Sequence, residues 1–344
     1  MHIVDLRSDT ITKPTAAMRR AMAEAEVGDD VFGEDPTINR LEQIAAGRMG
    51  KEAALFVASG TMGNLVSLLS HCGRGDEVIL GDRSHMLMFE QGGSAALGGV
   101  HPRAIPNLPD GTMDIENIEA AIRPDDVHHP RTRLIVLENT HNRCHGSPLT
   151  PAYMRTVREI ADRHNIKVHV DGARIFNAAV AQGVDARELA MDADTITFCL
   201  SKALAAPVGS VVCGPRDFIA RARRARKVVG GGMRQAGVLA AAGIVALDEM
   251  VDRLAEDHAN ARRLGEELSV VPGIAISLEM IRTNIVYVTI EREGLSSAEL
   301  SAKLRESGVF LLPVGPRQLR AVTQYHVSTE DIDRAVTVFR EIFR

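Results

Sequence analysis

Six short apolar runs recur through the first two thirds of the chain: AALFVAS, DEVIL, RLIVLEN, IKVHVDG, TITFCLS and GSVVCG. Their apolar residues are consecutive more often than alternate. A strand with one wet face alternates, whereas a strand covered on both faces does not. Helical patterns separate the runs. TINRLEQIAAGRMG spaces Ile38, Leu41, Ile44 and Ala45 onto one face and stops at Gly50. GTMGNLVSLLSHC opens a helix directly after the first run, and MDIENIEAAI opens another near Asp114. TPAYMRTVREIADRHN places Pro151 at a helix start, where its missing N–H costs nothing. Buried strands alternating with helices predict an α/β fold with a mostly parallel sheet and helices on both faces.

The pattern changes after Arg234. One long helical stretch, AGVLAAAGIVALDEMVDRLAEDHANARRLGEELS, is expected to run from one domain straight into the next. Short strands (AISLEM, NIVYVTI, LRAVTQ) and two amphipathic helices (SAELSAKLRESG, TEDIDRAVTVFREIFR) follow. The expected division is a large domain over 16–245 and a smaller C-terminal α+β domain over 246–344.

Composition removes several function classes. The formal net charge of −5 gives no reason to expect nucleic acid or an acidic membrane surface as partner. No stretch reaches the apolar length of a membrane span. The opening MHIVDLRSDT carries Asp5 and Asp9 and no apolar core, so it does not read as a signal or transit peptide. Cys72, Cys144, Cys199 and Cys213 form no CxxC pair and are expected as reduced thiols in a cytoplasmic protein.

Two residues carry the chemistry. Asp171 ends the IKVHVDG run, and Lys202 follows TITFCLS, 31 residues downstream. One helix and one strand fit between them, so both can stand on the same edge of one sheet. Ligands of open α/β sheets bind beyond the carboxyl ends of the strands. Alone, Asp171 would more readily cap the next helix, and Lys202 would mark a strand surfacing into a loop. As a pair they read as the amine that forms a Schiff base and the carboxylate that faces a pyridinium nitrogen, the two groups pyridoxal 5′-phosphate most needs.

ASGTMGN, at a strand-to-helix junction, offers a phosphate cradle. Gly60 permits close backbone approach, Thr61 carries a hydroxyl, and the helix N-terminus favours an anion. An ordinary βα turn is the competing reading. It is neither a Walker loop nor GxGxxG, so ATP and NAD are not supported. Arg234, beside a triple glycine, is a second phosphate candidate or a solvated arginine at a hinge. His85 follows a strand and can stack on a ring or move protons, with Glu90 as its partner or facing water. HNRCH, over 141–145, has metal-ligand residue types but no matching second pair, so it reads as a loop and no metal is expected. RARRARK, over 221–227, reads as a solvated helix face or a subunit contact.

Together these stretches resemble the threonine aldolase family, whose members are low-specificity L-threonine or L-allo-threonine aldolases. The resemblance rests on LRSDTITKPT, GDDVFGEDPT, ASGTMGN, LENTHN, VHVDGAR, FCLSKALAAPVGSV, GGGMRQAG and RAVTQYHVS, in that order. It implies the pyridoxal-phosphate fold type I, with a seven-stranded sheet in the large domain and residues 1–15 as an arm reaching the active site. It implies that Lys202 holds pyridoxal 5′-phosphate as a Schiff base, that Asp171 faces the ring nitrogen, and that His85 stacks on the ring. Gly60 and Thr61 would hold the phosphate, with Arg234 reaching in from a neighbouring subunit of a homodimer or homotetramer with shared sites. Ser8, Arg174 and Arg320 match positions that bind the substrate carboxylate, Arg174 lying close to the cofactor as well.

The reaction implied is retro-aldol cleavage of a β-hydroxy-α-amino acid to glycine and an aldehyde, by an aldehyde-lyase. The general base is His85, or alternatively His128 in DDVHHP, or a bound water. A β-eliminating lyase, racemase, aminotransferase or α-methylserine-type aldolase on the same fold is the nearest rival, and a non-catalytic binding protein is the distant one. The sequence departs from the family pattern at Ala203 and Ala205, where glycines are usual after the lysine, and at Phe32, where tyrosine is common. Alanine resists positive φ, so the turns after Lys202 are either conventional or strained.

Overall fold

A computed structural model describes residues 2–344. The six apolar runs form strands β2 (Ala53–Val57), β3 (Glu77–Gly81), β5 (Thr132–Glu138), β6 (Lys167–Asp171), β7 (Thr195–Cys199) and β8 (Ser210–Gly214), preceded by β1 (Val4–Asp5). The seventh strand of the main sheet, β4 (His101–Ile105), was not legible in the sequence. Of its HPRAI only Ile105 is buried, and it contains Pro102, which a sheet tolerates at an edge; β4 is an edge strand. The sheet order is β2-β8-β7-β6-β5-β3-β4, parallel throughout except that β8 runs against both neighbours. Helices bury the core between them and the sheet, with Leu41, Phe56, Ile135, Val168 and Phe198 fully enclosed.

Register, more than strand identity, builds the site. Glu138 pairs with Asp171, and Asp171 with Thr197, so the carboxyl ends of β5, β6 and β7 align. Lys202 lies three residues past the end of β7 and therefore joins that edge.

The C-terminal unit holds β9 (Ile274–Ala275), β10 (Ile285–Ile290), β11 (Val309–Phe310), β12 (Leu312–Gly315) and β13 (Gln318–Val322), with antiparallel order β12-β13-β10-β9. AISLEM contributes only the two residues of β9, then turns into a short 3-10 helix over Leu278–Met280. The single long helix expected after Arg234 is two helices, Gly237–Glu249 and Leu254–Ser269. The first buries its alanines in the main core, while Ala261, Leu264 and Leu268 of the second pack into the smaller one. One straight helix cannot aim at two separate cores. Ala246, Leu247, Met250 and Leu254 still pack in the main core, past the boundary read at 245/246.

The N-terminal arm belongs to both units. β1 pairs in parallel with β11, and Val4 and Leu6 pack into the smaller core. Leu6 also accepts the Val322 N–H at 2.8 Å. Among the described residues, no helix is long and apolar enough to cross a membrane. All four cysteines are buried free thiols.

Candidate active site

A cavity of about 500 Å3 opens where the aligned strand ends meet the arm and the smaller unit. Asp171 and Lys202 both line it, with His85, Arg174, Arg320 and Ser8. A larger groove of about 1080 Å3 follows the outer edge of β2, and none of the residues singled out for chemistry lies on it.

The turn that presents Lys202 is tightly held. The Lys202 carbonyl accepts the Ala205 N–H at 2.8 Å and the Thr12 hydroxyl at 2.9 Å. Ala206 N–H closes the turn onto Leu200 O at 3.1 Å. Ala205 is fully buried with φ of 61°, so the strained alternative applies there, and Ala203 is not in the left-handed region.

Asp171 is buried and doubly tied. Its Oδ2 accepts an Asn64 amide hydrogen at 2.8 Å and its Oδ1 the Ala173 N–H at 3.1 Å. The latter closes a local turn; the next helix begins at Ile175 and has no side-chain cap. Asp171 is thus not the helix cap that its position alone suggested.

His85 stands at the mouth. Its Nδ1 meets Glu90 Oε1 at 2.8 Å, and its backbone N–H donates to Glu138 Oε2 at 2.7 Å. The Glu90 hydrogen bond holds the imidazole above its ordinary pKa, and burial holds the Glu90 carboxyl above its own. Glu90 pairs with His85 and does not face water. Gly60 and Thr61 open the helix Gly60–His71, whose N-cap Ser59 accepts the Met62 N–H at 3.1 Å. A Cβ at position 60 would sit 3.0 Å from Cys199 Sγ, so this helix start is packed directly against the end of β7. Thr61 faces a smaller apolar cavity with Leu65 and Met86.

The two arginines expected at the substrate carboxylate are not equivalent. Arg174 gives Nε and Nη2 to Asp9 at 2.6 and 2.7 Å, so its fork is already occupied. Burial alone would lower the Arg174 pKa, but the Asp9 charge outweighs it and holds the guanidinium above its ordinary value. Arg320 donates Nη1 to Asn142 Oδ1 at 2.9 Å and Nη2 to Arg7 O at 3.2 Å, while its buried Nε has no partner. Burial, with the Arg174 charge beside it, lowers its pKa. Ser8 caps the turn over Asp9–Ile11 and accepts from Thr10.

The sequence model of the beta-eliminating lyase family matches residues 5–291. A probable low-specificity L-threonine aldolase 2 of Arabidopsis thaliana is 51% identical over 99% of this chain and 97% of its own length. The low specificity L-threonine aldolase of Escherichia coli strain K12 is 45% identical over 98% of each chain. The chain belongs to the threonine aldolase family. The solved structure of Leishmania major threonine aldolase superposes with a TM-score of 0.84 at 19% identity, covering 99% of both chains. The fold is that of pyridoxal-phosphate enzymes of fold type I, and the chain is a lyase.

The residues of this threonine aldolase chain fit pyridoxal 5′-phosphate. A primary amine, a buried carboxylate and an imidazole share one cavity, and the helix start at Gly60 packs tightly on Cys199, at the end of the strand that leads to Lys202. The unpartnered Arg320 Nε is a donor suited to a carboxylate.

Five expected residues do not line this cavity in their own chain: Gly60 at the packed helix start, Thr61 and Glu90 on the smaller apolar cavity, and His128 and Arg234 at the surface. His128 sits in an exposed turn with its side chain 82% exposed, paired with Asp126 at 2.7 Å. Arg234 is 56% exposed and bonds Asp29 at 2.9 Å. The Arg234 backbone is nonetheless fixed, its carbonyl accepting the Asp30 N–H at 3.1 Å while Met233 and Ala236 pack on the main core. Conversely, Glu138, Asn142 and Arg143 line the cavity although LENTHN and HNRCH were given no site role. The loop reading of 141–145 holds, closed by a His141–Ser147 bridge, but it hid Asn142. RARRARK is not simply a solvated face. Arg226 is buried, binding Asp30 at 2.5 Å and the Phe56 carbonyl at 2.7 Å. Phe32 is 73% exposed, away from the cavity.

Proposed function

We propose that the chain cleaves L-threonine, L-allo-threonine and related β-hydroxy-α-amino acids to glycine and an aldehyde, reversibly. The observation that carries this reading is one cavity holding Lys202 and Asp171 at neighbouring strand ends together with the partly unpaired Arg320. Bound pyridoxal 5′-phosphate supplies an electron sink for the pair released when the Cα–Cβ bond breaks. Lys202 would provide the amine that holds the cofactor. Asp171 holds a proton on the ring nitrogen. Arg320, with Arg174 and Ser8, anchors the substrate carboxylate, and that anchoring sets which Cα bond is presented for cleavage. His85, kept in place by Glu90, takes the β-hydroxyl proton.

Gly60 and Thr61 are assigned to the phosphate. Arg234 is assigned to the phosphate of a neighbouring subunit in a homodimer or homotetramer, which its exposure on its own chain supports. His128 stays the second choice of base. The arm over 1–15, the large domain over 16–245 and the small domain over 246–344 would then share one site, in a cytoplasmic enzyme.

The test is to incubate the purified protein with threonine, allo-threonine, phenylserine and α-methylserine and identify the products. Glycine plus the matching aldehyde supports the reading. Ammonia plus a keto acid, or an inverted amino acid, as the main product overturns it.

A further inference from the structure

Asn64 lies on the third turn-forming position after Thr61 in ASGTMGN, buried and outside the cavity lining. Its amide nitrogen donates to Asp171 Oδ2 at 2.8 Å and to Glu90 Oε1 at 2.9 Å. Its amide oxygen faces His169 Nε2 at 3.4 Å. His169 Nδ1 lies 2.9 Å from the Thr195 hydroxyl, and His71 Nε2 lies 2.8 Å from the same hydroxyl.

The amide makes this network directional. Two carboxylate oxygens on one side require the NH2 there, so the carbonyl oxygen must face His169. A carbonyl only accepts, so His169 carries its hydrogen on Nε2. Its bare Nδ1 then takes the Thr195 hydroxyl hydrogen, and His71 must donate to the Thr195 oxygen. Burial lowers His169 to a pKa of about 4 and His71 to about 3, in keeping with two neutral rings. On the other side, Glu90 Oε1 also receives His85 Nδ1, which leaves Nε2 as the nitrogen of His85 free to titrate.

Asp171, Glu90 and His85 bring ligand-type atoms within 4.8 Å of one another. Two buried carboxylates that close repel, and one would take up a proton unless a donor stands between them. The Asn64 amide is that donor. We propose that Asn64 is a positioning residue that holds Asp171 apart from Glu90 as a fixed acceptor for the cofactor nitrogen and fixes the His85 tautomer through Glu90. A neutral amide does this where a charged group would compete with the cofactor for Asp171. The inference rests on the pyridoxal 5′-phosphate assignment and not on which amino acid is cleaved.

The first test uses the unmodified holoenzyme, labelled at histidine with nitrogen-15. His169 and His71 are expected as neutral Nε2–H tautomers; an Nδ1–H tautomer or an imidazolium at His169 near neutral pH overturns the proposal. The second test is equilibrium dialysis of pyridoxal 5′-phosphate from holoenzyme carrying Asn64→Leu or Asn64→Asp. Each is expected to bind the cofactor at least about tenfold more weakly, the scale of a lost hydrogen bond to a charged group. Adding Glu90→Gln to Asn64→Asp restores the number of carboxyl groups and is expected to recover part of that affinity. A role confined to packing would give no such recovery. Wild-type affinity in both single variants, or no recovery in the double variant, overturns the proposal. If the variants do not fold, the tautomer measurement decides. None of these readouts depends on aldehyde release, so they stand apart from the outcome with threonine.

Discussion

Asp9 and Arg174 form a doubly hydrogen-bonded ion pair across 165 residues of chain, with both side chains sealed from solvent. The pair ties the N-terminal arm to the end of β6, while the neighbouring Arg7 carbonyl accepts from Arg320 at 3.2 Å. One short segment therefore holds both arginines proposed for the substrate carboxylate, one from each unit.

Asp9→Asn leaves the Arg174 guanidinium buried without its counter-charge. The expected loss of stability is about 3–5 kcal/mol, read as a lower midpoint in denaturant. Burial alone would raise the Asp9 carboxyl, but Arg174 lowers it below its ordinary value. Its contribution is therefore present above the unfolded value of about 3.9 and is lost as pH falls through the lower folded value. The stability gap between wild type and Asp9→Asn should narrow only in that acid range. A gap that already closes at pH 6 refutes this account.

Lys202→Ala removes the amine without disturbing its turn, which is held by the Lys202 carbonyl and not by its side chain. Aldehyde release is expected to fall by more than about a thousandfold. The melting temperature of the cofactor-free protein should stay close to that of the cofactor-free wild type. Normal turnover by this variant removes Lys202 from the mechanism.

Ala205→Gly tests the strained turn. A non-glycine residue at φ 61° costs roughly 1–2 kcal/mol, partly offset because glycine has more freedom to lose on folding. A net gain of about 0.5–1 kcal/mol in unfolding free energy is expected. A loss of stability would show that the methyl group packs better than the backbone suffers.

Glu90→Gln weakens the interaction that holds His85 above its ordinary pKa. If neutral His85 is the base, kcat/KM rises with pH through that raised value. The acid limb should then move to lower pH in Glu90→Gln, as a full pH–rate profile would show. An unmoved limb assigns the proton transfer to another group.

The carboxyl-edge chemistry was legible because it needs little tertiary knowledge. Asp171 and Lys202 each end an apolar run, and buried strands joined by helices lie parallel with their ends on one side. Elements that declare themselves by residue type alone, such as β6 and β7, appeared as read. β4 did not, because an exposed edge strand containing Pro102 buries too little to leave an apolar pattern. The break between Gly237–Glu249 and Leu254–Ser269 was also hidden, since the gap Met250, Val251, Asp252 and Arg253 holds no Gly or Pro and only the existence of two cores demands it.

Local pattern thus determined the fold class and the lysine–carboxylate pair, since burial and periodicity act over a few residues at a time. Tertiary structure decided who partners whom. Register put Glu138 beside Asp171, and the arm gave Asp9 to Arg174. Packing put Asn64 between two carboxylates, and the Lys202 cavity of the same chain did not receive His128 or Arg234. Hydrogen bonds and ion pairs depend on ångström distances between separate segments of the chain, and no spacing along the chain encodes those.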